Sequence, residues 1–208
     1  MKIILICISF VTCFLGYSQS NFVAVADKHS IGQKLSKTAQ SVNSIQSDFV
    51  QEKYMDFLDV TLESKGKYWF KKENSIRWQY TEPYNYIVII SDGKINISDD
   101  GKNSEFKVKG NKIFERINYI IVASMKGEIL ESEDFEVAIF ENNTYYLVKL
   151  KTLNKEIAEV IKEMEMYFEK NTLSISEIKM IEPNKDYILI RYKNKKINEP
   201  IPASIFAL

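Results

Sequence analysis

The chain has 208 residues, with 28 Lys and Arg balanced by 28 Asp and Glu, one histidine and two cysteines. A neutral, evenly mixed surface lacks the electrostatic footprint of a nucleic-acid binder and has no strong pull toward an anionic membrane. One histidine and two cysteines are too few for an ordinary zinc site.

Met1-Lys2 followed by the apolar residues 3–15 supplies one positive charge and a run too short to span a bilayer, the pattern of a secretory signal. Gly16 and Ser18 are the small residues a signal peptidase accepts, so residues 1–18 are expected to be removed and 19–208 to form one domain. Cys7 and Cys13 leave with the signal, and their contexts, Leu5-Ile6 and Val11-Thr12, suit lipid attachment poorly. The mature chain must then fold in an oxidising compartment without a disulfide, on the strength of one large core. No linker, charge block or repeat divides it.

Ile31, Leu35, Thr38, Ala39 and Val42 recur at helical spacing, with Asp27 or Ser30 placed to cap, which predicts a helix over 28–42. From Ile45 the period changes to two. Phe49 and Gln51 share one face of a strand, and Val60, Leu62 and Ser64 one face of the next. Residues 66–94 then read as a meander. Tyr68 and Phe70 alternate with Lys67, Trp69 and Lys71; Ile76, Trp78 and Tyr80 alternate with Arg77 and Gln79; residues 86–90 are almost wholly apolar and end at Asp92-Gly93, a pair that tolerates positive φ.

Asp99-Asp100-Gly101 is a further hairpin turn, leading into a short strand over 105–108. Ile113, Phe114, Ile117, Ile120, Ile121 and Met125 then return at spacings of three and four, predicting a helix closed by Gly127. It is apolar around more than half its circumference, and it interrupts an otherwise all-β pattern, so it belongs across the concave face of a sheet. Strands follow at 135–140, 145–151, around Met164, Met166 and Phe168, at 173–181 and at 187–192, with a helical turn near 157–161. Ten or eleven strands with two helical segments make a mainly β fold, an incomplete antiparallel barrel with helices over its mouth.

A search for catalytic groups is nearly empty. His29 has no serine or cysteine partner in a triad setting, Glu163, Glu165 and Glu169 read as a solvated strand face, and no phosphate loop is present. No cofactor, metal or catalytic residue is therefore assigned. What the chain does offer is adaptable apolar surface, with 12 Phe, 12 Tyr, 2 Trp and 6 Met in all. Aromatics alone point to an ordinary sheet core. A curved sheet with a detachable helical cover, however, encloses a cavity, and methionine lets its lining accept more than one shape.

The glycine, aromatic strand, basic pair Lys71-Lys72, Asn74, Ile76, Arg77-Trp78, Pro83 and apolar strand ending Ser91-Asp92-Gly93-Lys94 resemble the signature of the LolA family, periplasmic carriers of outer-membrane lipoproteins. Phe49-Val50-Gln51 resembles the family's F-x-Q strand and Ser204-Ile205-Phe206 its closing S-x-F, so the likeness spans about residues 30 to 206. It implies a non-enzymatic, monomeric periplasmic carrier of acylated lipoproteins, or of another acyl lipid or glycolipid. Such a carrier is loaded by an inner-membrane transporter and unloaded by an outer-membrane acceptor, with no nucleic-acid partner. A protein-binding β-domain is the alternative.

Under this reading Phe49, Trp69, Ile76, Trp78, Tyr80 and Ile89 line the cavity, and Ile113, Ile117, Ile121 and Met125 form the lid. Lys72 stands where the family has an arginine that bonds lid backbone, and Glu73 where it has a proline. Lysine lacks the planar guanidinium fork, so a weaker latch is expected. The chain stops at Leu208, two residues after Phe206, without the extra C-terminal segment of the better-known carriers.

Overall fold

The computed structural model describes residues 21–208, apart from 73–74, 108 and 111 and the side chains of 112–114, 116–118 and 125. The expected signal segment, residues 1–18, lies outside the described residues. Twelve strands form one antiparallel sheet: β1 (Val23–Ala24), β2 (Ser44–Met55), β3 (Val60–Lys71), β4 (Ser75–Glu82), β5 (Tyr86–Ser91), β6 (Lys94–Asp99), β7 (Lys102–Lys107), β8 (Phe135–Glu141), β9 (Tyr145–Thr152), β10 (Glu163–Glu169), β11 (Ile175–Ile181) and β12 (Tyr187–Ile197). Their order is β1-β8-β9-β10-β11-β12-β2-β3-β4-β5-β6-β7, open at both edges.

The incomplete barrel expected from the sequence is thus present, with twelve strands rather than ten or eleven. Two residues show no period, so β1 is invisible in the sequence. Val60, Leu62 and Ser64 belong to the same strand as Tyr68 and Phe70, not to a separate one, because the chain runs straight through Gly66. The β5–β6 and β6–β7 turns place Asp92-Gly93 and Asp100-Gly101 at positive φ in both positions, the geometry that matches strand twist in two-residue hairpins.

Two meanders, β2–β7 and β8–β12, meet where β12 pairs with β2. This order dictates where the helices go. β7 is one edge of the sheet and β8 lies next to the other, so the connection between them must traverse a face. Helix α2 (Lys112–Lys126) makes that crossing, followed by a 3-10 turn (Glu128–Glu131); its 15 residues extend about 22 Å. Helix α1 (Lys28–Gln40) carries the chain from edge strand β1 to central strand β2, capped by Asp27, which accepts from the Ser30 amide. A single turn, α3 (Lys155–Ala158), and a C-terminal 3-10 turn (Ala203–Phe206) complete the chain.

The helices bury one face each against the concave side. Leu35 of α1 and Ile120 and Ala123 of α2 join Ile129, Phe135, Ile139, Val148, Leu150, Met164, Met166, Phe168 and Ile178 in one core. Gly127 closes α2 at φ +72, and a Cβ there would lie 2.8 Å from Ser36 Cα, so the site needs glycine both for its conformation and for the contact with α1.

A second core lies on the other half of the same face. Phe49, Tyr68, Phe70, Ile76, Ile90, Ile95 and Ile190 are buried there, with Trp78 and Tyr80 packed against them. Its shape depends on Gly66, which pairs with Phe49 on one side and Tyr80 on the other. The Phe49 ring lies in the space a side chain would fill; a Cβ on Gly66 would sit 2.0 Å from the Gln79 carbonyl oxygen and 2.7 Å from Phe49 Cζ. Gly66→Ala should therefore cost about 3 kcal/mol or more. Gly32→Ala should have the opposite sign: it lies within α1, and its Cβ would make an ordinary 3.8 Å contact with Ile139, so a gain of about 0.5–1 kcal/mol is expected. Urea denaturation of the two variants checks both signs.

Candidate functional site

The concave aromatic floor is built by strand parity. Phe49 packs on Trp78, centroids 4.4 Å apart, and edge-on to Tyr80 at 5.3 Å, reaching over Gly66 to do so. Tyr68 meets Trp78 at 5.1 Å and Tyr192 at 5.8 Å. Gln51, next inward-facing residue after Phe49, accepts from the Tyr80 hydroxyl at 3.0 Å. Burial pushes the Tyr80 phenol up to about 12 and that of Tyr68 well above its usual range. Both remain protonated at any physiological pH.

Of the six residues expected to line a cavity, Phe49, Ile76, Trp78 and Tyr80 therefore share the concave face. Trp69 and Ile89 do not. Arg77 pairs with Trp69 on one side and Ile89 on the other, which sets all three on the convex face. There the C-terminal 3-10 turn runs over β4 and β5, Arg77 Nη1 donates to the carbonyls of Ile205 at 3.0 Å and Ala207 at 3.1 Å, and its guanidinium lies over the Trp69 ring. No bulge falls between Tyr68 and Phe70. Trp69 follows the alternation of its neighbours Lys67 and Lys71, and its aromatic character misled the assignment.

The cover is only partly described. Ile121 is half-buried and packs against the Trp78 core, whereas the side chains of Ile113, Ile117 and Met125 lie outside the described residues. Lys72 Nζ donates to the carbonyl of Gln40 at 3.3 Å. The expected latch thus reaches backbone at the C-terminus of α1, where a cation suits the helix dipole, and not the isoleucine-rich helix α2. Of the other polar residues singled out, His29 is exposed on α1 beside Gln33. Glu163 and Glu165 face Lys149, and Glu169 faces Lys195.

A cleft of ≈ 150 Å³ opens between the end of α1 and the sheet. Thr38, Ala39, Ser41 and Val42 form one wall, Ile45, Tyr68, Tyr192 and Ile197 the floor, and Ser124 of α2 the roof. Phe168 and residues 172–175, in the β10–β11 turn, close it. Cavities of this size hold roughly one benzene-sized apolar group. Its lining comes from six separate segments, and only Tyr68 could have been found from sequence, by its parity with Phe70 and Trp78.

Among the described residues Lys195 is the one charged member of this lining. Its ammonium donates to Glu169 Oε1 at 3.0 Å, Ser174 Oγ at 2.8 Å and the Ile175 carbonyl at 3.0 Å, which uses all three N–H groups. Among the described residues three buried side-chain polar atoms are left without a protein partner: the hydroxyls of Tyr68 and Ser124, both residues of this lining, and the Trp78 indole Nε1 on the aromatic floor.

A family model described as outer membrane lipoprotein carrier protein LolA matches residues 40–208. No curated protein matches the sequence. Among solved structures, an uncharacterised conserved protein from Thermus thermophilus aligns over 86% of this chain and 94% of its own at TM-score 0.53 and 7% identity. MucB aligns over 86% and 62% at TM-score 0.51 and 11% identity. A LolA superfamily protein from Nitrosomonas europaea aligns over 85% and 97% at TM-score 0.45 and 9% identity. At these identities the likeness is one of fold.

Two measurements test how the cleft walls are held. The Lys72 bond is solvent-exposed, so Lys72→Ala should lower stability by less than about 1 kcal/mol while speeding amide exchange in the last turn of α1. Burial raises the Glu169 carboxyl, but the Lys195 ammonium and the Thr172 hydroxyl outweigh it and hold the group below its usual range. A depressed folded-state value gives stability that is present above the ordinary carboxylate range and lost as pH falls through the folded value. Exchange in the 170–175 turn should accelerate below about pH 4, and Glu169→Gln should show fast exchange already at neutral pH.

Proposed function

Because the chain belongs to the LolA family of outer membrane lipoprotein carriers, we propose that it shields the acyl chains of lipoproteins between its concave sheet and its two crossing helices, carrying them across the periplasm from inner to outer membrane. The observation that carries this reading is the continuity between the cleft and the aromatic floor: Tyr68 lines the first and packs against Trp78 of the second. Phe49, Ile76, Trp78 and Tyr80 supply the surface on which a chain would lie. The work is binding and release, with no covalent step.

Burying acyl chains yields about 0.8 kcal/mol per methylene, so a few methylenes make a useful carrier and a whole triacyl group would be held too tightly to hand on. A cleft of ≈ 150 Å³ admits only a short segment. Loading therefore requires α1 and α2 to move off the floor, exposing Trp78 and its neighbours, and the cost of that motion offsets the gain from burial. The exposed Lys72–Gln40 bond is a weak restraint on one edge of this cover, which suits a lid that must open in both directions of transfer. Among the described residues no helix is long and apolar enough to cross a membrane, and the partners expected are a transporter that releases the lipid to this chain and an acceptor that takes it.

Native mass spectrometry of protein purified from the cell envelope tests the reading. A triacylated protein bound one to one is expected, absent from Trp78→Glu of unchanged circular dichroism. Recovery of a bound glycolipid instead would keep the shielding mechanism and correct the cargo. Protein that is always empty and takes up no fluorescent fatty-acyl probe would discard the carrier reading in favour of a protein-binding domain.

A further inference from the structure

The two orphan hydroxyls are expensive where they stand. Tyr68 is 2% exposed and Ser124 5%, both line the cleft, and neither hydroxyl has a partner among the described residues. A buried hydroxyl without a hydrogen bond is destabilising, and replacing Tyr68 by Phe or Ser124 by Ala would remove that cost with almost no change of shape. Polar atoms at such positions suit a cleft whose occupant supplies acceptors.

The chemistry of the lining narrows what the occupant is. Ala39, Val42, Ile45, Phe168, Leu173 and Ile175 are apolar, so most of the contact is with hydrocarbon. A phosphate or free carboxylate would need a cation, and the only one among the described residues of the lining, Lys195, has its three N–H groups taken by Glu169, Ser174 and Ile175. Neutral acceptors surrounded by hydrocarbon describe the carbonyl oxygens where acyl chains join their glyceryl or amino group.

We propose that this cleft is a linkage subsite, in which the Tyr68 and Ser124 hydroxyls donate to acyl carbonyl oxygens while the attached chains run onto the Trp78 floor. This rests on the carrier reading and deepens it. Tyr68 connects the two regions physically, since its ring meets that of Trp78 edge to face at 5.1 Å and the residue also lines the cleft. Ser124 sits on α2, so its bond to the ligand forms only when the cover is closed. The pair would thus couple lid closure to the presence of an acyl linkage, which plain hydrocarbon burial does not do.

The test uses the mature chain and two probes of equal chain length below their aggregation concentration, a dioctanoylglycerol with ester carbonyls and the corresponding dioctyl ether without them, with binding read by calorimetry. Wild type should prefer the ester by about tenfold, the scale of one or two net hydrogen bonds. Tyr68→Phe and Ser124→Ala should each weaken ester binding several-fold, the double variant should erase the preference, and ether binding should stay unchanged. Thermal stability of the empty single variants should equal or exceed wild type, because each loses an unsatisfied polar group. Equal affinity for both probes in wild type, equal weakening of both probes by the variants, or destabilisation of the empty protein would each overturn the subsite while leaving the carrier reading standing. Failure of wild type to bind either probe would overturn the carrier reading, and the subsite with it.

Discussion

A missing side chain at Gly66 is the constraint on which the concave face depends. Phe49 and Tyr80 stand on strands separated by β3, and they touch only because Gly66, between them, presents no Cβ. The Phe49 ring fills that notch and reaches Trp78 and Tyr80, joining β2, β3 and β4 into a continuous aromatic surface. Edge and tilted ring contacts of this kind add about 0.5–1.5 kcal/mol each beyond burial. Gln51 then fixes the Tyr80 hydroxyl, so the floor presents ring surface and keeps its polar tip satisfied.

The remaining architecture follows from where the edges lie. An open sheet whose β7 and β8 stand toward opposite edges requires a connection that crosses a face, and an apolar helix makes that crossing at no cost in unsatisfied backbone. The same holds for α1. The cover is therefore a consequence of strand order. Gly127 allows α1 and α2 to approach closely, while the two helices touch different parts of the floor: Ile120 and Ala123 settle on the β8–β11 half, and Ile121 reaches the Trp78 half.

Several of the ion pairs lie on the convex side. Arg191 bridges Glu52 and Glu177 across three strands, and Lys149 joins Glu165. On the convex face Arg77 also gathers the C-terminal carbonyls, tying the end of the chain to the strand whose other face carries Trp78. The edge strand β7, exposed throughout and carrying Lys102, Glu105 and Lys107, is protected from pairing by its charges. Among the described residues the cleft on the concave side carries one charged side chain, Lys195, which is paired with Glu169, and the floor around Trp78 is apolar and aromatic.

Much of this was legible in the sequence because it depends on local period. Alternation in 76–80 set Ile76, Trp78 and Tyr80 on one face, three-and-four spacing from Ile113 announced α2, and Asp-Gly pairs marked two hairpins with the turn conformation they adopt. The family resemblance rested on the residues that meet around Gly66 and Arg77, so it too could be read along the chain. Trp69 shows the limit of reading composition above parity: its alternation with Tyr68 and Phe70 already placed it outside, and the register leaves it there with Ile89 under the C-terminal turn. Only the tertiary structure decided that the Lys72 ammonium meets α1 and not α2, and that a cleft forms among Val42, Tyr68, Ser124, Phe168 and Tyr192. Those residues are far apart in the chain, and hydrophobic periodicity carries no information about which distant faces close upon each other. That is settled by strand order and by the reach of the connections it demands.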